Sequence, residues 1–227
     1  MTFFRSHRLL HHGGLIFFGQ ILLVMLVPIL DHGERHTPAE MFAAALGVSG
    51  FTVLALGHRR TAIVMSACCA LAITSIVFWG DHFEIRLPGM LILAVAYSYA
   101  AWLCVRHAFS AEIAAAQRIL CGAAGFVMTG FIFAVLHNLL GGWMDGVYAI
   151  ATGPAGDREP RWIDFVWLSF STLTTAGYSD LAPIGRWASA ACTLEALCGI
   201  LFPATLIARI ASLPAHPVTA PPSSSPP

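Results

Sequence analysis

Long uncharged stretches are the feature that most restricts how this chain can fold. Five windows contain no Asp, Glu, Lys or Arg: residues 9–30, 41–58, 61–80, 87–105 and 119–144. A sixth, residues 187–208, is interrupted only by Glu195. Each window is near or above the roughly 18 residues that mark a membrane-spanning helix. Only 11% of the chain is charged, against about 25% in a soluble domain. The sequence therefore predicts an all-α membrane protein with six transmembrane helices.

The segment between the fifth and sixth spans is of a different kind. Its apolar part, within "RWIDFVWLSFSTLT", is too short to cross a hydrocarbon layer of about 30 Å at 1.5 Å per residue. The polar stretch "TTAGYSD" follows it. Such a stretch is tolerated at membrane depth only where its backbone faces protein or water. We therefore predict a re-entrant helix and loop that enter and leave on the same side.

This topology places both termini in one compartment. All twelve basic residues are arginines, and the predicted topology divides them seven to five. The larger set is Arg5, Arg8, Arg59, Arg60, Arg106, Arg118 and Arg209, and the smaller is Arg35, Arg86, Arg158, Arg161 and Arg186. Because cytoplasmic loops carry the excess of basic residues, we expect a multi-pass protein of the cell membrane with both termini cytoplasmic.

Acidic residues are distributed far less evenly. Glu112 is alone on the predicted inner side, and the outer side holds Asp31, Glu34, Glu40, Asp81, Glu84, Asp145, Asp157, Glu159, Asp164 and Asp180. A negative outer face would concentrate cations. Ordinary solvated loops explain the same pattern equally well. The net charge of zero gives no argument for a nucleic-acid partner.

The stretch "TTAGYSD" has the groups that a dehydrated cation needs. A ring of backbone carbonyls from several chains can replace lost water without a fixed charge in the path. Thr175 supplies a hydroxyl and a carbonyl, and Gly177 permits backbone angles closed to other residues. Tyr178 can brace the strand against Trp167. The preceding helix would direct its negative dipole end toward a cation.

At these residues the sequence resembles the potassium channel superfamily, whose pore loop reads T-x-x-T-x-G-Y-G-D. Five residues match in register, Thr172, Thr175, Gly177, Tyr178 and Asp180, and Pro183 and Trp187 follow. The resemblance covers roughly residues 119–213. It implies a selectivity filter of Thr175, Ala176, Gly177, Tyr178 and Ser179, supported by Trp167, Thr172 and Asp180.

The resemblance also implies a homotetramer in a lipid bilayer that conducts K⁺ passively. No cofactor and no metal beyond the permeant cation are expected. Two residues depart from the family pattern. Ala176 replaces a Val, and Ser179 replaces a Gly whose left-handed conformation would cost a side chain about 1–2 kcal/mol. A weakly selective potassium/sodium channel and a non-conducting accessory membrane protein are therefore the alternatives.

The last span contains three residues of interest for the inner path. Gly199, where the resemblance places a hinge glycine, and Pro203 predict a bend that opens an inner gate; the alternative is a static kink or close helix packing. Glu195 is an ionisable group deep in the membrane, which favours a place near the filter base or a cavity. The alternative for Glu195 is a protonated or hydrogen-bonded acid that holds helices together.

The chain divides into three predicted regions. Residues 1–110 form a four-helix transmembrane domain in the position of a voltage sensor, residues 111–213 form the pore domain, and residues 214–227 are a disordered Pro/Ser-rich tail. Sensing requires charge that moves through the membrane field. The fourth span has no regular arginines, so we predict no strong voltage gating.

Histidines suggest two further functions that we consider less favoured. His32 and His36, with Asp81, His82 and Glu84, are candidates for outer metal or pH sites, but solvated loop residues are the simpler interpretation.

An intramembrane hydrolase needs a nucleophile and a base within the spans. His137, beside Asn138, is the one residue of that kind and has no evident partner. We therefore predict that the protein is not an enzyme.

Overall fold

The computed structural model describes residues 17–22, 63, 67, 83–110, 115–151 and 158–212, without the side chains of residues 83–86 and 210. The elements follow in the order α1 (Phe83–Ala108), α2 (Ala115–Trp143), β1 (Tyr148–Ile150), α3 (Trp162–Leu173), β2 (Leu181–Pro183) and α4 (Arg186–Ser212). Residues 17–22, within the first predicted span, are also helical. The described part of the chain is therefore mostly helical, as the sequence predicts.

Three of the described helices are long and apolar enough to cross a membrane. They are Leu87–Ala108 within α1, Ala115–Trp143 in α2 and Arg186–Arg209 within α4. These helices coincide with the fourth, fifth and sixth predicted spans. The first three predicted spans lie almost wholly outside the described residues, as does the tail from residue 214. The total of six spans and the three-region division stay predictions.

The helices α1 and α2 pack along an apolar seam. Met90, Leu93 and Tyr97 of α1 and Phe131 and Val135 of α2 are each at most 3% exposed. The rings of Tyr97 and Phe131 stack with centroids 5.5 Å apart. Burial of large apolar side chains is the main favourable term in such contacts. This seam joins the fourth predicted span to the predicted pore region.

The short helix α3 begins where its first turn is stabilised by an acidic residue. The carboxylate of Asp164 accepts a hydrogen bond from the Arg161 backbone N–H at 2.7 Å. It also accepts from both terminal nitrogens of Arg158, at 2.5 and 2.8 Å. A carboxylate in the first turn satisfies a free N–H and complements the helix dipole. The predicted short helix before the polar stretch is thus confirmed.

Asp164→Ala should lower the free energy of unfolding by about 1–2 kcal/mol. The substitution removes the cap of α3 and leaves the Arg158 guanidinium without its carboxylate. Denaturant titration of the purified protein in mild detergent measures the change. The control is Asp145→Ala, since Asp145 is exposed just after α2. An equal loss from both substitutions would contradict this account of the α3 terminus.

The helix α3 packs against α2 and β1. Phe170 meets Phe131 edge to face at 5.3 Å, and Phe165 meets Tyr148 in the same way at 5.3 Å. A Cβ atom on Gly130 of α2 would lie 2.8 Å from the Phe170 ring, so the glycine permits this close approach. A helix as short as α3 has little stability of its own. Its apolar contacts with α2 and β1 therefore fix its position.

A two-stranded antiparallel sheet was not predicted. It pairs Tyr148 with Pro183, Ala149 with Ala182 and Ile150 with Leu181. This small sheet is an addition to the predicted all-α membrane fold. Three-residue strands are too short to show a two-residue period in the sequence, and their pairing depends on α2 and α4 bringing the two segments together.

Candidate functional site

The filter loop, residues 174–180, follows α3 directly and is anchored to its last turn. The N–H groups of Ala176 and Gly177 both donate to the Ser171 carbonyl, at 2.8 and 3.1 Å. The Thr175 N–H donates to the Thr172 carbonyl at 2.9 Å. These bonds satisfy carbonyls that a helix end otherwise leaves free. The loop therefore turns its amide groups back toward α3.

The carbonyl groups of the same loop are differently placed. Within the described residues, no hydrogen bond uses the carbonyl oxygens of Thr175, Ala176, Gly177 or Tyr178. Four consecutive peptide oxygens thus accept no hydrogen bond from the described part of the chain. Oxygen ligands of this kind are what a dehydrated alkali cation binds.

Two residues of the loop have left-handed backbone angles, Thr175 with φ 58° and Gly177 with φ 68°. Glycine adopts this conformation at little cost. For the β-branched Thr175 it is an outlier that costs about 1–3 kcal/mol. The Thr175 hydroxyl donates to the Thr174 carbonyl at 2.7 Å. Strain of this type typically persists at functional sites, where the surrounding structure imposes it.

The predicted strain at Ser179 is not found. Among the described non-glycine residues, positive φ occurs at Thr175 alone, so Ser179 does not need the left-handed conformation. Its hydroxyl instead accepts a hydrogen bond from the Leu181 N–H at 3.1 Å. The expectation was wrong because it assigned the backbone from the family pattern, whereas a serine side chain can close a local turn by itself.

The predicted supporting residues Trp167 and Asp180 lie beside Tyr178. All three line an open cleft of about 270 Å³ whose other walls are Asp164, Ser179 and Leu181. The Tyr178 side chain is 61% exposed in the single chain. The carbonyl of Asp180 accepts from the Ala151 N–H at 2.8 Å. The sheet therefore holds the outer end of the loop, as α3 holds its start.

Thr172 connects the pore helix to α4. Its side chain interacts with that of Cys192 in this neighbouring helix.

Gly199 lies against the end of α3. A Cβ atom at this position would stand 1.9 Å from the Leu173 carbonyl oxygen. This geometry is the close packing that the sequence left as one of two interpretations. Pro203 lies within α4, which runs unbroken from Arg186 to Ser212. Gly199 therefore allows α4 to approach the pore helix at backbone distance.

Glu195 does not face a cavity. Its side chain is fully buried, and it contacts His137 of α2 and Ser169 of α3. The expected place in a cavity is therefore not found, whereas the carboxyl group lies against α3, the helix that precedes the filter loop. Burial without exposed oxygens requires hydrogen-bond partners, and those partners lie behind the pore helix. The alternative of an acid that ties helices together agrees with this geometry.

Sequence reasoning missed the partners of His137. Its two ring nitrogens contact the Tyr148 hydroxyl at 2.7 Å and the Glu195 carboxyl group at 3.0 Å. A buried polar residue must have partners, but these lie 11 and 58 residues away. The carboxyl group lies between Ser169 and His137, whereas a hydrolytic triad places the histidine between the other two. His137 thus has no contact by which to activate that serine.

No group of three or more His, Cys, Asp or Glu side chains is placed to hold a metal ion within the part of the chain that the structure describes. The outer residues His32, His36, Asp81 and His82 lie outside that part, and Glu84 is described only by its backbone. The hypothesis of an outer metal or pH site stays a prediction.

Comparison with known proteins gives two matches. Residues 143–215 match the model of a family described as ion channel. Protein LctB of Geobacillus stearothermophilus is 35% identical over 82 residues, which cover 34% of this chain and 58% of LctB. The chain thus spans little more than half the length of this relative. No solved structure gives a significant match.

The family match begins at the end of α2 and includes β1, the pore helix α3, the filter loop, β2 and α4. These elements include every residue of the T-x-x-T-x-G-Y resemblance. The apolar helices place the protein in a membrane. Residues 143–215 are therefore similar to ion channels, which supports a pore-loop cation channel.

Proposed function

We propose that the protein is a potassium-preferring channel that conducts cations passively through a homotetrameric pore. The observation that carries this proposal is the run of four carbonyl oxygens, from Thr175 to Tyr178, that accept no hydrogen bond within the described residues. Their amide neighbours are anchored to the Ser171 and Thr172 carbonyls. The loop thus keeps oxygens available while its backbone is held in place.

Conduction needs ligands that replace water without binding the ion too firmly. Neutral carbonyl dipoles meet this condition, since several sites in a row allow an ion to leave as the next arrives. The helix α3 ends at the loop, and its C-terminal dipole lowers the energy of a nearby cation. Thr175, Ala176, Gly177, Tyr178 and Ser179 form the proposed filter. Trp167, Thr172 and Asp180 support it.

One loop supplies only one wall of a pore, so several copies of the chain are required. The helix α4 supports such an assembly because only 11% of its most apolar window is buried, against 50% for α1 and 56% for α2. Large apolar side chains remain exposed along it: Trp187, Leu194, Leu197, Ile200, Leu201 and Ile207. Neighbouring subunits and lipid are the proposed covers of this surface.

Reversal potentials in planar bilayers test the proposal. Purified protein is reconstituted between potassium on one side and sodium on the other, and we expect a reversal potential close to the potassium equilibrium potential. We also expect conductance that changes little with voltage, since α1 lacks a regular series of arginines.

Protein-free membranes are the control for these recordings. Equal permeability to both ions would favour the weakly selective channel, and no current from tetrameric protein would favour the accessory role.

A further inference from the structure

A chain of polar contacts runs behind the pore helix. The Tyr148 hydroxyl lies 2.7 Å from Nδ1 of His137, and Nε2 of His137 lies 3.0 Å from Oε2 of Glu195. The second carboxyl oxygen, Oε1, is in short contact with Oγ of Ser169. Oγ of Ser169 is in turn 2.6 Å from the Gly130 carbonyl oxygen. We call these four side chains and the Gly130 carbonyl the polar chain.

The polar chain is sealed from solvent and joins four elements. His137, Ser169 and Glu195 are 0% exposed and Tyr148 is 9% exposed. His137 belongs to α2, Ser169 to α3, Glu195 to α4 and Tyr148 to β1. At this burial each contact needs a proton between its two heavy atoms, because two facing acceptors without one repel each other.

The contacts of the polar chain need more protons than a Glu195 carboxylate leaves available. The polar chain has four contacts. Tyr148, Ser169 and a neutral His137 supply one proton each, which makes three. A carboxylate at Glu195 adds none, so one contact would be left without a proton. The missing proton falls at Ser169, because its single hydroxyl proton cannot be donated to both Glu195 and the Gly130 carbonyl.

Placing a fourth proton on His137 does not repair the shortage. An imidazolium would donate from both nitrogens, so the Tyr148 proton would have to leave the polar chain and Ser169 would still face two acceptors. A proton on Oε1 of Glu195 satisfies all four contacts. Tyr148 then donates to His137, His137 to Oε2, Oε1 to Ser169, and Ser169 to the Gly130 carbonyl. Bonds aligned in one direction strengthen one another.

The surroundings agree with a neutral group. From α2, Glu195 faces His137, and from β1 the nearby titratable group is Tyr148. On α4 itself the nearby titratable group is Cys192, whose sulfur is 4.0 Å from Nε2 of His137. The acid of α3, Asp164, is paired with Arg158 at the other end of that helix. No arginine contacts Glu195 within the described residues, and an uncompensated buried carboxylate is costly.

Tyr148 is also able to keep its proton. Burial raises the pKa of its phenol above the ordinary value, with smaller contributions from Cys192 and Glu195. The hydroxyl is therefore a donor to His137 under ordinary conditions.

We propose that Glu195 is a neutral carboxylic acid in the folded protein and that, in this form, it is a positioning residue that fixes α3 against α2 and α4. Ser169 lies two residues before Ser171, whose carbonyl holds the amides of Ala176 and Gly177. Through its contact with Ser169, the neutral acid at Glu195 thus fixes the position of the filter loop relative to α2 and α4. The effect on ion selection rests on the proposed function, whereas the protonation state does not.

Infrared spectroscopy of the full-length protein tests the protonation state directly. A protonated carboxyl group has a carbonyl stretching band at higher frequency than a carboxylate, and the band shifts in deuterated water. We expect this band in the wild type at neutral pH and its loss in Glu195→Gln. If the wild-type and Glu195→Gln spectra show the same bands in this region, the proposal is wrong, whether or not the protein conducts.

Two substitutions at Glu195 test the positioning role. In Glu195→Gln the amide nitrogen can donate to Ser169 and the amide oxygen can accept from His137, so all four contacts survive. We expect its folding equilibrium and its reversal potential to stay close to wild type. Glu195→Met fills the space but breaks two contacts, and should lower the folding equilibrium constant about tenfold or more. A loss from Glu195→Gln as large as that from Glu195→Met would contradict a neutral acid.

Two serines of α3 provide a matched pair. Ser169→Ala removes two contacts of the polar chain, whereas the Ser171 hydroxyl, among the described residues, bonds only the Leu168 carbonyl of its own helix, at 3.0 Å. We expect Ser169→Ala to shift the reversal potential away from that of potassium and Ser171→Ala to leave it unchanged. Equal shifts from both variants would show that a general effect on α3, and not the polar chain, is responsible.

Discussion

Gly199→Ala should abolish the proposed potassium current and lower the free energy of unfolding by about 3 kcal/mol or more. The added Cβ would stand 1.9 Å from the Leu173 carbonyl oxygen, where ordinary contact begins at 3.4 Å. Both partners belong to helix backbones, so neither can rotate away. The helices α4 and α3 must separate, which also pulls Glu195 from Ser169. Denaturant titration in detergent measures the stability, and planar-bilayer recording measures the current. Native mass spectrometry shows whether the subunits still assemble.

Gly125→Ala is the matched control. The same methyl group on α2 would meet the side chain of Val105 at 3.3 Å and that of Cys104 at 3.5 Å, so movable atoms absorb the contact. Alanine also favours a helix over glycine by about 1 kcal/mol. We expect stability near wild type. Gly199→Ala with normal stability but altered opening would instead support the hinge interpretation of Gly199.

Gly177→Ala should eliminate selective potassium current with little change in the overall fold. At φ 68° a side chain costs about 1–2 kcal/mol, and the four subunits of the proposed homotetramer would together carry about 4–8 kcal/mol. The loop can relieve the strain only by rotating peptide groups that include the proposed ion ligands. Reversal potentials under opposed potassium and sodium gradients report the loss, and native mass confirms assembly.

Gly146→Ala separates filter strain from strain in general. Gly146 also has φ 68°, and at both glycines a new Cβ would have no atom within 4 Å. The two substitutions therefore carry the same local cost in one chain. Gly146 lies in the loop between α2 and β1, far in sequence from the filter loop. We expect Gly146→Ala to keep the wild-type reversal potential, and a shift like that of Gly177→Ala would argue against residues 174–180 as the filter.

Ser179 and Glu195 show why the site was only partly predictable. For Ser179, the family pattern gives the residue types of the loop but not the turn that its own hydroxyl closes with Leu181. For Glu195, the sequence identifies a costly buried acid but not where it points. The 58 residues between His137 and Glu195 leave no local signal of their contact. Such contacts form only when the helices pack against each other.

The sequence alone determined the membrane setting, the three described spanning helices and the short helix with its polar loop. Length and hydropathy act locally, because a lipid layer of fixed thickness requires a minimum run of apolar residues. Only the tertiary structure decided which side chains lie behind the loop, how the two short strands pair, and why α4 needs glycine at position 199. Those features arise where distant segments meet at backbone distance, and no local pattern in the chain records that approach.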